Sequence, residues 1–254
     1  MDLGIKGRCA IIGASSQGLG KATALALARE GVNVLICGRT EETLRTAHEE
    51  IAAVGGGDVV SVVADLALEE GQAAVIARAK EVFGTIDILV TNTGGPPPGK
   101  FEDHDRAAWD GAYRLLLAST VALINGVLPQ MKEQQWGRII AITSQAVKQP
   151  VENLILANSV RASVVGLCRT LANELGPHGI TVNNVMPGYT RTDRLKKLMA
   201  QSDGFAEIER DIPLGRIGEP EEFAAMVAFL VSERASYVTG VSVPVDGGWI
   251  KHLL

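Results

Sequence analysis

Residues 9–27 constrain this chain more than any other stretch. Cys9-Ala10-Ile11-Ile12 reads as a short buried strand, residues 13–20 (GASSQGLG) as a Gly/Ser turn, and Lys21-Ala22-Thr23-Ala24-Leu25-Ala26-Leu27 as an alanine-rich helix. A helix entered through so tight a turn has its first N–H groups free, at the positive end of the macrodipole, which suits a pyrophosphate. Gly18 and Gly20 carry no Cβ, so ligand and strand can come close. A glycine-rich turn can also be a bare strand-to-helix connection. Its place between an apolar strand and a helix at the start of the chain points to a dinucleotide site.

The same alternation continues. Apolar, β-branched runs at 32–36, 59–63, 86–90, 138–142, 181–185 and 241–245 are separated by helical stretches at 41–53, 69–83, 105–132 and 153–175. Near-continuous apolar strands between amphipathic helices predict a parallel sheet covered on both faces. The expected fold is α/β, a Rossmann-type doubly wound parallel sheet of about seven strands with helices on both faces. With 254 residues, 46% of them hydrophobic, residues 1–254 are expected to form one domain. Pro244 would cost a central strand a ladder hydrogen bond, so the last strand is placed at an edge. Two segments depart from the alternation, the Pro/Gly run 94–99 and the polar, helical insert 189–212. Both follow strand carboxyl ends, where open α/β sheets bind ligands, so both are expected to border the pocket.

Composition narrows the partners. A net charge of −5 with scattered Lys and Arg gives no basic footprint, so no nucleic-acid partner is expected. Cys9, Cys37 and Cys168 lie in apolar or helical stretches without CxxC spacing, which predicts free core thiols, no disulfide and no metal site. The first strand begins too early for a signal peptide, and no apolar run reaches the length of about 18 residues that spans a bilayer, so a cytoplasmic protein with no membrane partner is expected.

Several motifs together resemble the short-chain dehydrogenase/reductase family from end to end, with the β-ketoacyl-acyl-carrier-protein reductase type most similar. They are Ser15-Ser16-Gln17-Gly18-Leu19-Gly20, Asp65-Leu66, Asn92-Thr93-Gly94, Ser144, Val164-Val165-Gly166-Leu167, Asn183 with Pro187-Gly188, Asp246-Gly247-Gly248, and residues 212–220. The resemblance implies that Gly13, Ser15, Ser16, Gln17, Gly18, Leu19 and Gly20 form the cofactor turn, with Leu19 and Gly20 offering backbone to the pyrophosphate. It also implies that Asp65 and Leu66 flank the adenine, that Asn92, Thr93 and Gly94 line the adenosine ribose, and that Pro187, Gly188, Thr190 and Thr192 border the nicotinamide. Without a gap, the family's first glycine falls on Ala14, whose methyl group is tolerable if φ stays negative.

The end of the second strand decides which dinucleotide fits. An NAD enzyme needs a carboxylate there for the ribose 2′-hydroxyl; this chain has Cys37-Gly38-Arg39-Thr40. Arg39 can pair with a 2′-phosphate through its guanidinium fork, so NADP(H) is the expected cofactor.

The resemblance fails at the catalytic positions. The family's Asn–Ser–Tyr–Lys set falls on Leu116, Ser144, Ala157 and Arg161, and no Tyr-x-x-x-Lys occurs anywhere in the chain. Alanine has no proton to give, and arginine stays protonated. Ser144 can still hydrogen-bond an oxyanion, and Arg161 can donate to ribose hydroxyls or to a carboxylate or phosphate on a substrate. The phenol of Tyr189 is the first substitute acid, or else an aromatic wall. Tyr113 is expected to pack, and His178 to be a turn residue. Asn158 or Ser159, but not both, could face the site. A mostly apolar rim is expected from Phe101, Leu195, Leu198 and Met199. Two functions remain open: an NADP(H)-dependent oxidoreductase acting on a small-molecule carbonyl or alcohol, and a catalytically silent NADP(H)-binding sensor. Residues 241–249 resemble the family's C-terminal interface strand, and the helical runs 115–123 and 164–175 carry more apolar surface than one sheet should cover, so a homo-oligomer, a tetramer, is expected.

Overall fold

In a computed structural model, which describes residues 2–199 and 205–253, the apolar runs become strands and the runs between them become helices. The order is β1 (Cys9–Ile12), α1 (Gly18–Arg29), β2 (Asn33–Gly38), α2 (Glu41–Val54), β3 (Val59–Val63), α3 (Glu69–Phe83) and β4 (Ile88–Thr91). Then come α4 (Arg106–Tyr113), a π-helical turn (Arg114–Ala118), α5 (Ser119–Glu133), β5 (Gly137–Ile142), α6 (Ile155–Leu175) and β6 (Ile180–Pro187). The chain closes with α7 (Asp193–Met199), α8 (Phe205–Asp211), α9 (Pro220–Leu230) and β7 (Ser242–Val245).

All strands are parallel, in the order β3-β2-β1-β4-β5-β6-β7. The winding reverses between β1, whose Ile12 pairs with Ile36, and β4, whose Val90 pairs with Ile12 on the other side. This is the switch point at which such sheets open a crevice. Alternation along the strands splits the core in two: Ile12 and Ile36 pack with α1, α2 and α9, whereas Ile11 and Leu35 pack with α3, α5 and α6. β7, with Pro244, is an edge strand as expected, and all three cysteines are buried and free.

Three features differ from the sequence expectations. Helix α6 starts at Ile155 rather than Asn153, because Asn153 takes φ +57°, a left-handed conformation that asparagine tolerates. Helix α9 was not anticipated; Glu219 and Glu222 form a capping box at its start, and Phe223, Val227 and Leu230 fill the core beside α1. Third, the helical stretch Arg106–Glu133 does reach membrane-spanning length and holds an 18-residue window of mean hydropathy 1.4. It is interrupted by the π-helical turn and carries Pro129. Its buried residues Leu116, Thr120, Leu123, Val127 and Met131 form a stripe, and it packs against β4, β5, α3 and α6.

Candidate active site

The turn after β1 is built by close backbone approach. The Gly13 N–H donates to the Val90 carbonyl at 3.0 Å, and a Cβ on Gly13 would run into the Asn92 carbonyl oxygen. A Cβ on Gly20 would lie 2.5 Å from the Ala14 carbonyl oxygen. Ala14 itself has φ +42°, which overturns the expectation of negative φ: the methyl group sits in a left-handed turn. Ser15 is a second correction. It is fully buried, and its Oγ donates to the Ile12 carbonyl at 2.7 Å and accepts from the Cys37 N–H at 3.0 Å. Ser15 therefore ties the turn to β2 and is closed to a ligand.

Helix α1 begins at Gly18 with no side-chain cap from Gln17 and no acid in its first turn. The first turn-closing bond is Lys21 N–H to the Gln17 carbonyl, so the N–H groups of Gly18, Leu19 and Gly20 precede the helical ladder. At the end of β2, the Ser16 hydroxyl stands 2.8 Å from where a Cβ on Gly38 would be, and Arg39 follows, exposed. Asp65 caps the Ala67 N–H at 2.9 Å, and Leu66 is buried beside Gly13. Asn92 Nδ2 holds the Ala14 carbonyl at 3.1 Å, joining the two loops at the switch point.

Above the carboxyl ends of the strands lies a cleft of about 340 Å³. Its walls include Gln17, Gly18, Leu19, Asn92, Thr93, Gly94, Ser144, Ala157, Arg161, Pro187, Gly188, Tyr189, Thr190 and Thr192. Both flagged segments border it, through Gly94, Gly95 and Pro96 and through Tyr189, Thr190 and residues 192–195. Gly13, Ser15, Ser16, Gly20, Arg39, Asp65 and Leu66 lie outside its wall, either behind the turn or toward β2 and β3.

Ser144 follows β5, and its Oγ accepts the Ala146 N–H at 3.1 Å. Its own O–H has no acceptor among the described residues, so it is free to donate into the cleft. Arg161 extends from α6 to the ends of two strands: Nη1 donates to the carbonyls of Ile142 and Thr143 at 3.0 and 3.1 Å, and Nη2 to that of Gly94 at 3.1 Å. Burial and then the positive charge of Arg194 bring the Arg161 guanidinium down to about 10, leaving it cationic at neutral pH. Ala157, one helical turn earlier, also faces the cleft and brings no polar atom.

The other candidates divide. Tyr189 lines the cleft with its ring edge-on to Trp249 at 5.7 Å; burial, then the Asp211 charge, raise its phenol pKa, which makes it a weaker acid. Leu116 is buried in the π-helical turn and is not part of the wall. Asn158 instead donates to the Val151 carbonyl at 2.9 Å, Ser159 is exposed, and neither lines the cleft. Phe101 is 72% exposed, with its ring tilted against Trp109 at 6.2 Å rather than on the rim. Leu195 does reach the wall; the side chains of Leu198 and Met199 lie outside the described residues.

Among the wall residues that the sequence reading did not single out are Gln145 and Arg194. Gln145 is buried with Oε1 unpartnered, and Arg194 donates to the Pro96 carbonyl at 3.3 Å. The signal for Gln145 was its place directly after Ser144. Arg194 lies in the segment 189–212 expected to border the pocket, but nothing in the sequence sets it apart from its charged neighbours Asp193, Lys196 and Lys197.

Comparison with known proteins agrees with the fold. The family model described as enoyl-(acyl carrier protein) reductase matches residues 13–250. The chain is 33% identical over 248 residues to 3-oxoacyl-[acyl-carrier-protein] reductase of Aquifex aeolicus, covering 98% of this chain and 99% of that protein. It is 29% identical over 256 residues to the NADPH-dependent reductase BacG of Bacillus subtilis, covering 97% and 99%. The crystal structure of L-sorbose reductase from Gluconobacter frateurii, complexed with NADPH and L-sorbose, superposes with a TM-score of 0.94 at 32% identity over the whole of both chains. The chain belongs to the short-chain dehydrogenase/reductase family.

Proposed function

We propose that this protein is an NADP(H)-dependent oxidoreductase that interconverts a small-molecule carbonyl and its alcohol with an atypical catalytic set. The observation that carries the reading is a cleft with an uncapped helix start at one end and a free hydroxyl donor, Ser144, beside a clamped cation at the other. The cofactor fits the residues present. The first-turn N–H groups of α1 suit its pyrophosphate. Ser16, whose side chain fills the space a Cβ on Gly38 would take, and Arg39 suit a 2′-phosphate, and Asn92, Thr93, Gly94, Pro187, Gly188, Thr190 and Thr192 would line the rest. The NADPH in the L-sorbose reductase complex and in the name of BacG supports the same choice.

When bound, the nicotinamide supplies or accepts hydride. The chain's own work is at the carbonyl oxygen. Ser144 donates its free O–H to that oxygen, and Arg161, fixed by three carbonyls, offers positive charge to the negative charge that develops there. Arg161 keeps its proton to about pH 10 and so stabilises charge rather than delivering a proton at neutral pH. Ala157 and Leu116 take the positions of the family's tyrosine and asparagine, so the final proton must reach the oxygen through the Ser144 hydroxyl or from solvent. The alanine also favours a second reading, a silent NADP(H)-binding sensor.

Equilibrium titration of NADPH and NADH, followed by turnover across a panel of ketones and aldehydes, tests the proposal. NADPH should bind more tightly and at least one carbonyl should be reduced. Equal affinities would refute the cofactor assignment, and micromolar NADPH binding with no turnover would select the sensor. We also propose a homotetramer, because Tyr113, half-exposed rather than packed as expected, and Val121 leave apolar surface exposed on the long α4–α5 stretch; a monomeric mass by light scattering would refute it.

A further inference from the structure

The reaction end of the cleft carries two guanidinium groups, and among the described residues neither has a carboxylate partner. Arg161 and Arg194 both donate to one short run of backbone. Arg161 Nη2 donates to the Gly94 carbonyl at 3.1 Å, and Arg194 Nη2 donates to the Pro96 carbonyl at 3.3 Å. The Arg194 guanidinium occupies the space that a side chain on Gly95 would fill, so the glycine between the two carbonyls is the seat of that arginine. Carbonyl oxygens satisfy hydrogen bonds without cancelling charge. The acid in the wall, Asp193, is 60% exposed, and its carboxylate already accepts from Lys196 Nζ at 3.1 Å.

Each guanidinium keeps donors in reserve. An arginine has five N–H groups in a rigid fork. Arg161 uses Nη1 twice and Nη2 once, and Arg194 uses Nη2 once. Two like charges held together without a counter-ion are costly in a partly desolvated cleft. Their mutual repulsion contributes to the lowered Arg161 value. An oxyanion between them would remove that repulsion and take up the spare donors, the geometry that guanidinium groups match best.

The phosphates of a dinucleotide do not account for this pair. Arg161 is anchored at the carboxyl ends of β4 and β5, beside Ser144 and Ala157, where the reacting carbonyl belongs. The pyrophosphate has its own cradle at the uncapped start of α1. We propose that Arg161 and Arg194 receive an oxyanionic substituent of the substrate, so that the protein acts on oxo acids or hydroxy acids, or on phosphorylated equivalents. This narrows the substrate class of the oxidoreductase proposed above and rests on that reading.

The test uses NADPH and matched pairs of substrates: pyruvate, acetoacetate and levulinate against their methyl esters, and dihydroxyacetone phosphate against dihydroxyacetone. At least one anion should exceed its neutral partner in kcat/KM by tenfold or more. Which pair shows it tells a carboxylate from a phosphate. Arg194→Leu should lower kcat/KM for the anion by about 10- to 100-fold, the range for a charge-assisted contact. It should change the neutral partner and the NADPH Kd by less than about threefold. Arg194→Lys should recover part of the loss, and Gly95→Ala, which displaces the guanidinium while leaving it in the chain, should reproduce the loss in weaker form.

Equal kcat/KM within every pair would overturn the inference. So would an Arg194→Leu variant whose NADPH affinity falls tenfold, which would assign the arginine to the cofactor. If the wild type reduces none of these compounds, the oxidoreductase reading is what fails. Calorimetry of the same anions and neutral partners on the NADPH-bound protein then decides the inference alone. Anion-selective binding, lost in Arg194→Leu, upholds it, and no difference between anion and neutral partner overturns it.

Discussion

At the β1–β2 end of the cleft the surface is mostly backbone: the first turn of α1 and the Asn92 loop hydrogen-bonded to Ala14, with a strand end just outside the wall where Ser16 fills the space above Gly38. At the β5–β6 end it is mostly side chain: Ser144 with an unused hydroxyl, Arg161 clamped by three carbonyls, Gln145 with an unpartnered oxygen and Tyr189 against Trp249. Backbone recognition survives sequence change wherever the turn keeps its shape. Side-chain chemistry changes with each residue. Membership of a family therefore carries over more of the first end than of the second.

The largest effect should come from restoring the missing phenol. With Ala157 and Arg161 in place, reduction of simple ketones should lag a family member with the complete set by about 10²–10⁴-fold, the usual worth of general-acid help. Ala157→Tyr combined with Arg161→Lys should recover part of that rate in a steady-state NADPH assay. Either change alone should do little, since a phenol without a neighbouring lysine keeps a pKa near 10. Arg161→Lys alone also gives up a fork that spans carbonyls on two strands. A double variant slower than the wild type would show that the chain has its own complete proton path. A loss of about 10² or more in Ser144→Ala would then place that path at Ser144.

The backbone-built end has one exposed side chain of consequence. Arg39→Ala should weaken NADPH binding by about 10- to 100-fold while leaving NADH nearly unchanged, because only the 2′-phosphate engages a guanidinium there. Fluorescence titration of both cofactors checks it. Parallel losses for NADPH and NADH would mean that Arg39 supports the β2 end rather than reading the phosphate.

The sheet was legible because buried parallel strands leave continuous apolar runs, and Ile11-Ile12 and Leu35-Ile36 show themselves without any partner in view. Helix α9 was not, since its cap is Glu219 rather than Ser or Thr and it follows a polar insert. The serine-rich turn misled in a physical way: Ser15 looked like a ligand contact but is spent on Ile12 and Cys37. At the reaction end, spacing showed which residues are present but not how they are held. Nothing near Arg161 in the sequence indicates that the carbonyls of Ile142, Thr143 and Gly94 fix it, and Gly95 gives no sign of seating an arginine from residue 194. Those contacts join segments far apart in the chain, and only the fold brings them together.

The smallest expected effect sharpens the comparison at the backbone end. Ala14 holds φ +42°, where an L side chain costs about 1–2 kcal/mol relative to the right-handed region. Its carbonyl receives the Asn92 side-chain amide at 3.1 Å, so the turn cannot relax without loosening the Asn92 loop. Ala14→Gly removes the strain but adds about 0.4–1 kcal/mol of unfolded-chain entropy, which leaves a net stabilisation of about 0–1.6 kcal/mol. In a chain of this size that corresponds to a rise in Tm of up to about 3–6 °C by calorimetry. The NADPH Kd should stay within twofold, because the backbone path is unchanged. A lower Tm would mean that the methyl group gains more from packing than the turn loses in strain, and that this end, too, depends on a side chain.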